Sequence, residues 1–140
     1  MSADLAEPFV FPVRVYYEDT DSGGVVYYAN YLKFLERART EWLRAAGFEQ
    51  TELMRDHNVI FVVRSVAIEY LQPARFNDAL NVTVQLEKLG SCTIDVFQTV
   101  ERDARLVEAR IQIVCVEHRD FKPVRIPAFI RQQLESASNA

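Results

Sequence analysis

Between Tyr28 and Ala46 the apolar residues recur at spacings of three and four; from Val62 onward they recur at spacings of two. That change of period limits the fold more than any other feature of the chain. In the first stretch Tyr28, Tyr31, Leu32, Leu35, Ala38, Trp42, Leu43, Ala45 and Ala46 share a side, and Lys33, Arg37, Thr40 and Arg44 lie opposite. The spacing predicts an amphipathic helix, about 30 Å long at its rise per residue, with Gly47 placed to end it in a left-handed cap. In the second stretch Val62, Arg64, Val66, Ile68 and Tyr70 alternate with Val63, Ser65, Ala67 and Glu69, and Leu80, Val82, Val84 and Leu86 alternate with Asn81, Thr83, Gln85 and Glu87. Further strands are expected around Ile94–Phe97 and Val107–Cys115. Gly90-Ser91 and Asp103-Ala104 are tight hairpin connections, and strands joined so closely must run antiparallel. With a strand at Phe9–Tyr17, bent or placed at an edge by Pro12, the order reads β-α-β-β-β-β. The fold class is α+β: one long helix against a curved antiparallel sheet. Glu49–Asn58 reads as a short second helix and Pro127–Ala137 as a terminal one.

A single domain over residues 1–140 accounts for the whole length, which is enough to bury a core without staples. No linker, repeat or low-complexity segment interrupts it. A net charge of −4 argues against a nucleic-acid partner. Cys92 and Cys115, both placed in strand-like runs, read as buried thiols of a reducing compartment, and no Cys or His spacing suggests a zinc site. The start, MSADLAEPF, lacks the basic and apolar regions of a signal peptide. No apolar run approaches the roughly 20 residues of a membrane helix. A cytoplasmic protein is expected. One helix covers one face of the sheet, so the other face and the edges are expected to find cover in a homo-oligomer, with two sheets joined edge to edge.

The chemistry is concentrated just ahead of the long helix, in YYEDTDSGGVVYY, where Glu18, Asp19 and Asp21 precede Gly23-Gly24 and a run of apolar residues. A calcium loop counted from Asp19 fails, because its fifth position is Gly23 and its twelfth Asn30. An aspartyl phosphotransferase motif fails at the same glycine and needs a parallel sheet. A plain solvated loop is the simplest reading. Against it, the glycines permit close backbone approach, the apolar run draws the loop onto the core, and no Ser, Thr, Asp or Asn directly precedes the helix as a cap. The first helical N–H groups are thus open to a ligand. Amides that hold an oxyanion beside a carboxylate that attacks or activates water are the elements of acyl transfer. Which of the three acids acts is not decided by the residues alone.

The pattern Tyr17-x-x-x-Asp21-x-x-Gly24-x-Val26-Tyr27-x-x-x-Tyr31, followed by Phe34-Leu35-Glu36-Arg37-Ala38-Arg39, resembles the signature of the hotdog-fold acyl-CoA thioesterases. Within them it is similar to the 4-hydroxybenzoyl-CoA thioesterase family, and VRVYYEDTDSGGVVY with YLKFLERARTEWLR resembles the branch associated with the Tol-Pal envelope system. FVVRSVAIEYLQPARFNDAL and VCVEHRDFKPVRIP extend the likeness over about residues 9–130. The resemblance implies a hotdog fold, a dimer or tetramer with active sites at subunit interfaces, and hydrolysis of acyl-CoA; the bulky Val25, Val26, Tyr27, Tyr28 and Tyr31 around the Asp21 loop are expected to crowd the pocket and favour short-chain or aromatic acyl groups. It implies that Asp21 is the catalytic carboxylate, as nucleophile or general base. It also implies that the helix start near Tyr27 and Tyr28 supplies the oxyanion N–H. Gly24, Val26, Tyr31 and Tyr17 complete the expected loop and acyl pocket, and no cofactor or metal is implied. The branch often carries histidine where this chain has Tyr28, and neither His57 nor His118 falls there.

Coenzyme A carries phosphates, so an acidic chain needs a local basic cluster. Candidates are Arg64, Arg75, Lys88, Ser91 in the Gly90-Ser91 turn, Lys122 and Arg125, the turn because exposed amides also hold phosphate. Two other functions fit the residues. A dehydratase or hydratase on acyl thioesters would want a histidine near the helix start. A non-catalytic partner of an acyl carrier protein or envelope complex would not need the Asp21 motif intact.

Overall fold

The computed structural model describes residues 7–138. Strand β1 (Phe9–Arg14) leads through a short turn of 3-10 helix at Tyr17–Asp19 into α1 (Tyr28–Ala45), α2 (Gln50–His57) follows, and then come β2 (Val59–Tyr70), β3 (Ala79–Leu89), β4 (Thr93–Glu101), β5 (Arg105–Glu117) and α3 (Ala128–Ser138). The five strands form one sheet in the order β1-β3-β4-β5-β2, every pairing antiparallel. The expected reading of the N-terminal leader falls partly on residues 1–6, outside the described residues, as do residues 139 and 140.

Helix α1 ends as its glycine predicts. Gly47 has φ +101°; its N–H donates to the Arg44 carbonyl at 3.0 Å, and the Phe48 N–H donates to the Leu43 carbonyl at 2.9 Å. This is a Schellman cap, with Leu43 and Phe48 both buried at its hydrophobic contact. The buried side of α1 carries Tyr31, Phe34, Leu35, Ala38, Trp42 and Leu43, each large side chain giving roughly 1.5–3 kcal/mol of burial. Tyr28 and Leu32 belong to the same apolar stripe yet remain exposed.

The helix covers the sheet unevenly, for it packs on β1, β3 and β4. The inner face of β2 carries Phe61, Val63, Val66, Ile68 and Tyr70 by register, and Val63, Val66 and Tyr70 are exposed. A trough therefore runs between α1 and β2, and β2 is an unpaired edge of twelve residues.

One buried amide ties helix to sheet. Gln98, fully buried, donates from Nε2 to the carbonyls of Leu35 (3.1 Å) and Thr83 (3.2 Å) and accepts from Arg39 Nη1 at 3.0 Å.

Two expectations are corrected. β2 begins at Val59 rather than Val62. Cys92 lies in the turn between β3 and β4, and only Cys115 lies in a strand. The outer face of the sheet is rich in polar residues. It presents Thr83, Thr99, Glu101, Glu108, Arg110, Gln112 and Asp95, satisfied among themselves and their neighbours by Thr83–Thr99 (2.6 Å), Thr99–Glu101 (2.8 Å), Arg105–Glu108 (3.0 Å) and Gln112–Asp95 (3.0 Å). Among the described residues no helix is long and apolar enough to cross a membrane.

Candidate active site

The loop between the 3-10 turn and α1 is a small hairpin. Thr20 bridges Val26, the Asp21 N–H donates to the Val25 carbonyl at 3.0 Å, and the Gly24 N–H donates back to the Asp21 carbonyl at 3.0 Å. Gly24 turns the chain at φ +76°, a conformation that glycine adopts without steric cost. The Gly23 N–H donates to Asp21 Oδ1 at 2.9 Å, which fixes the carboxylate in an Asx turn. Asp21 is exposed, and Oδ2 has no partner among the described residues.

Val26 and the segment after β2 seat this hairpin. The Val26 side chain is buried in the core, its N–H donates to the Ala74 carbonyl at 2.9 Å, and Val25 bridges Arg75. The Ala74 N–H in turn donates to the Tyr31 hydroxyl at 2.9 Å. Tyr31 is 2 % exposed, and burial raises its phenol above the usual tyrosine range. It anchors the loop from beneath and does not line an open pocket.

Helix α1 starts with no side-chain cap. The N–H of Tyr27, which stands at the cap position, donates to the Asp19 carbonyl at 3.1 Å, and that of Asn30 donates to the Tyr27 carbonyl at 2.9 Å. The N–H groups of Tyr28 and Ala29 meet no acceptor among the described residues. Two amides at the positive end of a long helix thus stand open next to the hairpin that carries Asp21.

The aromatic residues divide into two groups. Tyr17, 76 % exposed, stacks on Phe76 with ring centroids 4.1 Å apart. Tyr28, 68 % exposed, lies 5.0 Å from Tyr70 by ring centroid and 6.4 Å from Tyr27, and the Tyr70 hydroxyl reaches the Tyr28 carbonyl at 3.4 Å. Burial raises the Tyr70 phenol, and the nearby Tyr28 adds to the shift. The Tyr28–Tyr70 pair bridges α1 and β2 across the mouth of the trough. At the far end of the trough lies a cavity of about 440 Å³ lined by Glu36, Arg39, Thr40, Leu43, Phe61, Val63 and Ile113, among others. Burial lowers the Arg39 guanidinium from its usual range.

The basic candidates do not converge. Arg75 adjoins the Asp21 hairpin. Arg64 sits at an irregularity midway along β2. Ser91, Lys122 and Arg125 gather at the opposite end of the sheet, where the Ile126 N–H donates to the Ser91 carbonyl at 2.9 Å and the Glu117 N–H to the Lys122 carbonyl at 2.8 Å. Lys88 lies near them at the end of β3. The length of β3 separates this end from the hairpin by roughly 30 Å. His57 contacts Phe129 at 4.8 Å between rings, and His118 sits in the turn after β5. Among the described residues no three His, Cys, Asp or Glu side chains are grouped to hold a metal ion.

The site also uses Asn30, which the sequence pattern did not single out, together with Asp19, one of the three candidate acids. Asp19 is 8 % exposed and bonded through both carboxylate oxygens, and Asn30 is one of its partners at 2.6 Å. An amide in the first turn of an otherwise apolar helix start was the available signal.

A curved antiparallel sheet wrapped on one long helix, with an acidic hairpin at an uncapped helix start, defines a hotdog-type thioesterase architecture. The chain belongs to the thioesterase-like superfamily, whose family model matches residues 15–134. It is 43 % identical over 128 residues to the Haemophilus influenzae protein named acyl-CoA thioesterase YbgC, covering 91 % of this chain and 94 % of that one. It is 44 % identical over 124 residues to the acyl-CoA thioester hydrolase YbgC of Escherichia coli O6:H1, covering 87 % and 92 %. Among solved structures, a probable thioesterase from Bartonella henselae superposes with a TM-score of 0.83 at 34 % identity, over 86 % of this chain and all of that one.

Proposed function

We propose that this chain hydrolyses the thioester of short-chain or aromatic acyl-CoA with Asp21 as the acting carboxylate. The observation that carries the reading is the pairing of an Asp21 carboxylate held by one oxygen and open at the other with two unoccupied helix-start amides in the adjoining segment. The thioester carbonyl oxygen would accept from the Tyr28 and Ala29 N–H groups, so that charge developing on it meets fixed donors. Asp21 Oδ2 would attack the carbonyl carbon, or take a proton from the water that does. Either way the C–S bond breaks and coenzyme A leaves as the thiol; in the first route water then hydrolyses the acyl-aspartyl anhydride, and in both one water is consumed and the acyl group leaves as a carboxylate. A single turnover quenched in acid and read by intact mass separates the routes, because only attack by Asp21 forms an acyl-Asp21 adduct.

Short or aromatic acyl groups fit because the Tyr28–Tyr70 pair stands across the trough close to the reacting end. An edge-to-edge homodimer through β2 would roof the trough and pair the free edge. A second pairing into a tetramer would bring the Lys88, Ser91, Lys122 and Arg125 end of another copy toward the hairpin, where Arg75 alone of the basic candidates adjoins in its own chain. We also read the protein as cytoplasmic, from its free cysteines and the composition of its start, with acyl carrier protein as a second thioester source and a link to the Tol-Pal system, which rest on the sequence resemblance. The test is Asp21→Asn: an amide neither attacks nor takes a proton at neutral pH, so kcat falls at least ~10²-fold with the fold retained. Near-normal turnover by folded Asp21→Asn overturns the assignment, and a stable, active monomer in light scattering overturns the assembly.

A further inference from the structure

Resting on the reading of the helix-start amides as oxyanion donors, we infer that Asp19 and Asn30 form a positioning clamp that takes the place of a helix cap while leaving those amides open. An ordinary capping side chain accepts from the second or third helical N–H, and a Ser or Asp at residue 27 would therefore compete for the Ala29 N–H, a donor that the reaction needs, or take that of Asn30. This chain attaches the helix start differently. Asp19 Oδ2 accepts from the Tyr16 N–H at 2.8 Å, and Oδ1 accepts from the Asn30 side-chain amide at 2.6 Å. The Asp19 carbonyl accepts the Tyr27 N–H at 3.1 Å. Three bonds thus join the end of β1, the 3-10 turn and the first turn of α1, and none uses the N–H of Tyr28 or Ala29.

The carboxylate is mostly buried, so its two acceptors are matched to two donors with little water to substitute for either. Asparagine at residue 19 has one acceptor oxygen for the same two donors. Its amide nitrogen would face either the Tyr16 N–H or the Asn30 amide, and one bond must break. The hairpin from Thr20 to Val26 hangs between Asp19 and the helix start, so a loosened clamp displaces Asp21 and the two amides relative to each other. Asp19 touches no reacting atom in this account; it acts through geometry.

The experiment compares single variants, Asn30→Asp among them, with an exchanged pair, read in kcat and KM. Asp19→Asn and Asn30→Ala are each expected to lower kcat about 10- to 100-fold with KM changed less than threefold, because substrate still finds its site. In Asp19→Asn/Asn30→Asp the donor and acceptor are exchanged: the amide now at residue 19 keeps an acceptor oxygen for the Tyr16 N–H and gives its NH2 group to the new carboxylate. This pair is expected to recover kcat to within about threefold of the parent. Asn30→Ala keeps a good helix former in the first turn, so it reports even where Asp19→Asn folds poorly. Parental kcat in folded Asn30→Ala overturns the inference, and so does an exchanged pair no faster than the single variants. Asp21→Asn assayed alongside reports on the carboxylate itself, whereas coupling between residues 19 and 30 reports on the clamp, so the two failures are distinguishable.

Discussion

On the proposed reading of the trough, replacing Tyr70 with alanine should let longer acyl groups be accepted. Tyr70 stands at the end of β2, 5.0 Å from the Tyr28 ring and 5.5 Å from Tyr31. Its hydroxyl meets the Tyr28 carbonyl, so it closes the trough between helix and strand. Removing the ring joins the reacting end to the groove lined by Leu32, Val66 and Val63 and, beyond them, to the cavity of about 440 Å³. Each methylene that gains cover contributes about 0.8 kcal/mol. Four newly buried methylenes are worth about 3 kcal/mol, or about two hundredfold in kcat/KM. The assay is a series of straight-chain acyl-CoA esters from acetyl to palmitoyl with free thiol measured continuously. Parent enzyme should peak at short or benzoyl-type esters, and Tyr70→Ala should move the optimum out by several carbons while acetyl-CoA changes little. Tyr70 is half-exposed, so its loss should lower Tm only modestly. An unchanged optimum in the folded variant would refute the reasoning, as would a parent whose kcat/KM rises steadily to palmitoyl-CoA.

Gln98→Leu should cost about 1–3 kcal/mol in denaturant unfolding, because it removes the side-chain bonds to the buried carbonyls of Leu35 and Thr83 and leaves the Arg39 guanidinium without its amide partner; a loss below about half a kcal/mol would contradict that account. Burial, with Cys92 adding to it, pushes the Cys115 thiol up to about 11 from 9.0. The unfolded thiol therefore loses its proton first as pH rises, and stability should fall between pH about 9 and 11 by on the order of 2 kcal/mol. Cys115→Ala should flatten that slope, and an unaltered slope would assign it elsewhere. At pH 8 a thiol reagent should reach Cys92 alone until the chain is unfolded, which a titration of reactive thiols checks. Tyr28→His should shift acyl preference more than stability, since the side chain is exposed at the helix start; the same chain-length series and a thermal melt measure both.

The long helix was legible because eighteen residues of one period and a terminal glycine leave no competing structure. The β3–β4–β5 hairpins were legible for a similar reason, their turns being only a few residues long. The start of β2 was not, because Val59-Ile60-Phe61-Val62 is a continuous apolar run with no alternation to mark a strand. Nor was the position of β2 at the sheet edge beside β5, which depends on pairings some fifty residues apart. That placement separates Arg75 from Ser91, Lys122 and Arg125, which sequence alone grouped as one set. The Asp21 hairpin was found by its motif. Asp19 has the same composition and the same neighbours, and its structural duty follows from partners three and eleven residues away. Tyr28 and Tyr31 share one stripe in the pattern. Only the uneven cover of the sheet shows that one is exposed at the trough and the other is sealed under the hairpin.

The strand order also sets a timetable for folding. β3, β4 and β5 pair with their chain neighbours, whereas β1 must find β3 across some seventy residues and β2 must find β5 across some fifty. Closing the short loops costs little entropy, so the meander is expected to form in the transition state, and α1 can dock on β3 and β4 before either outer strand arrives. Truncating Val96 should then slow folding, while truncating Val13 or Ile68 should mainly speed unfolding. The trough and the Asp21 hairpin both depend on segments that flank the late strands. The end of the molecule that carries the candidate site would be the last part to assemble and the first to open.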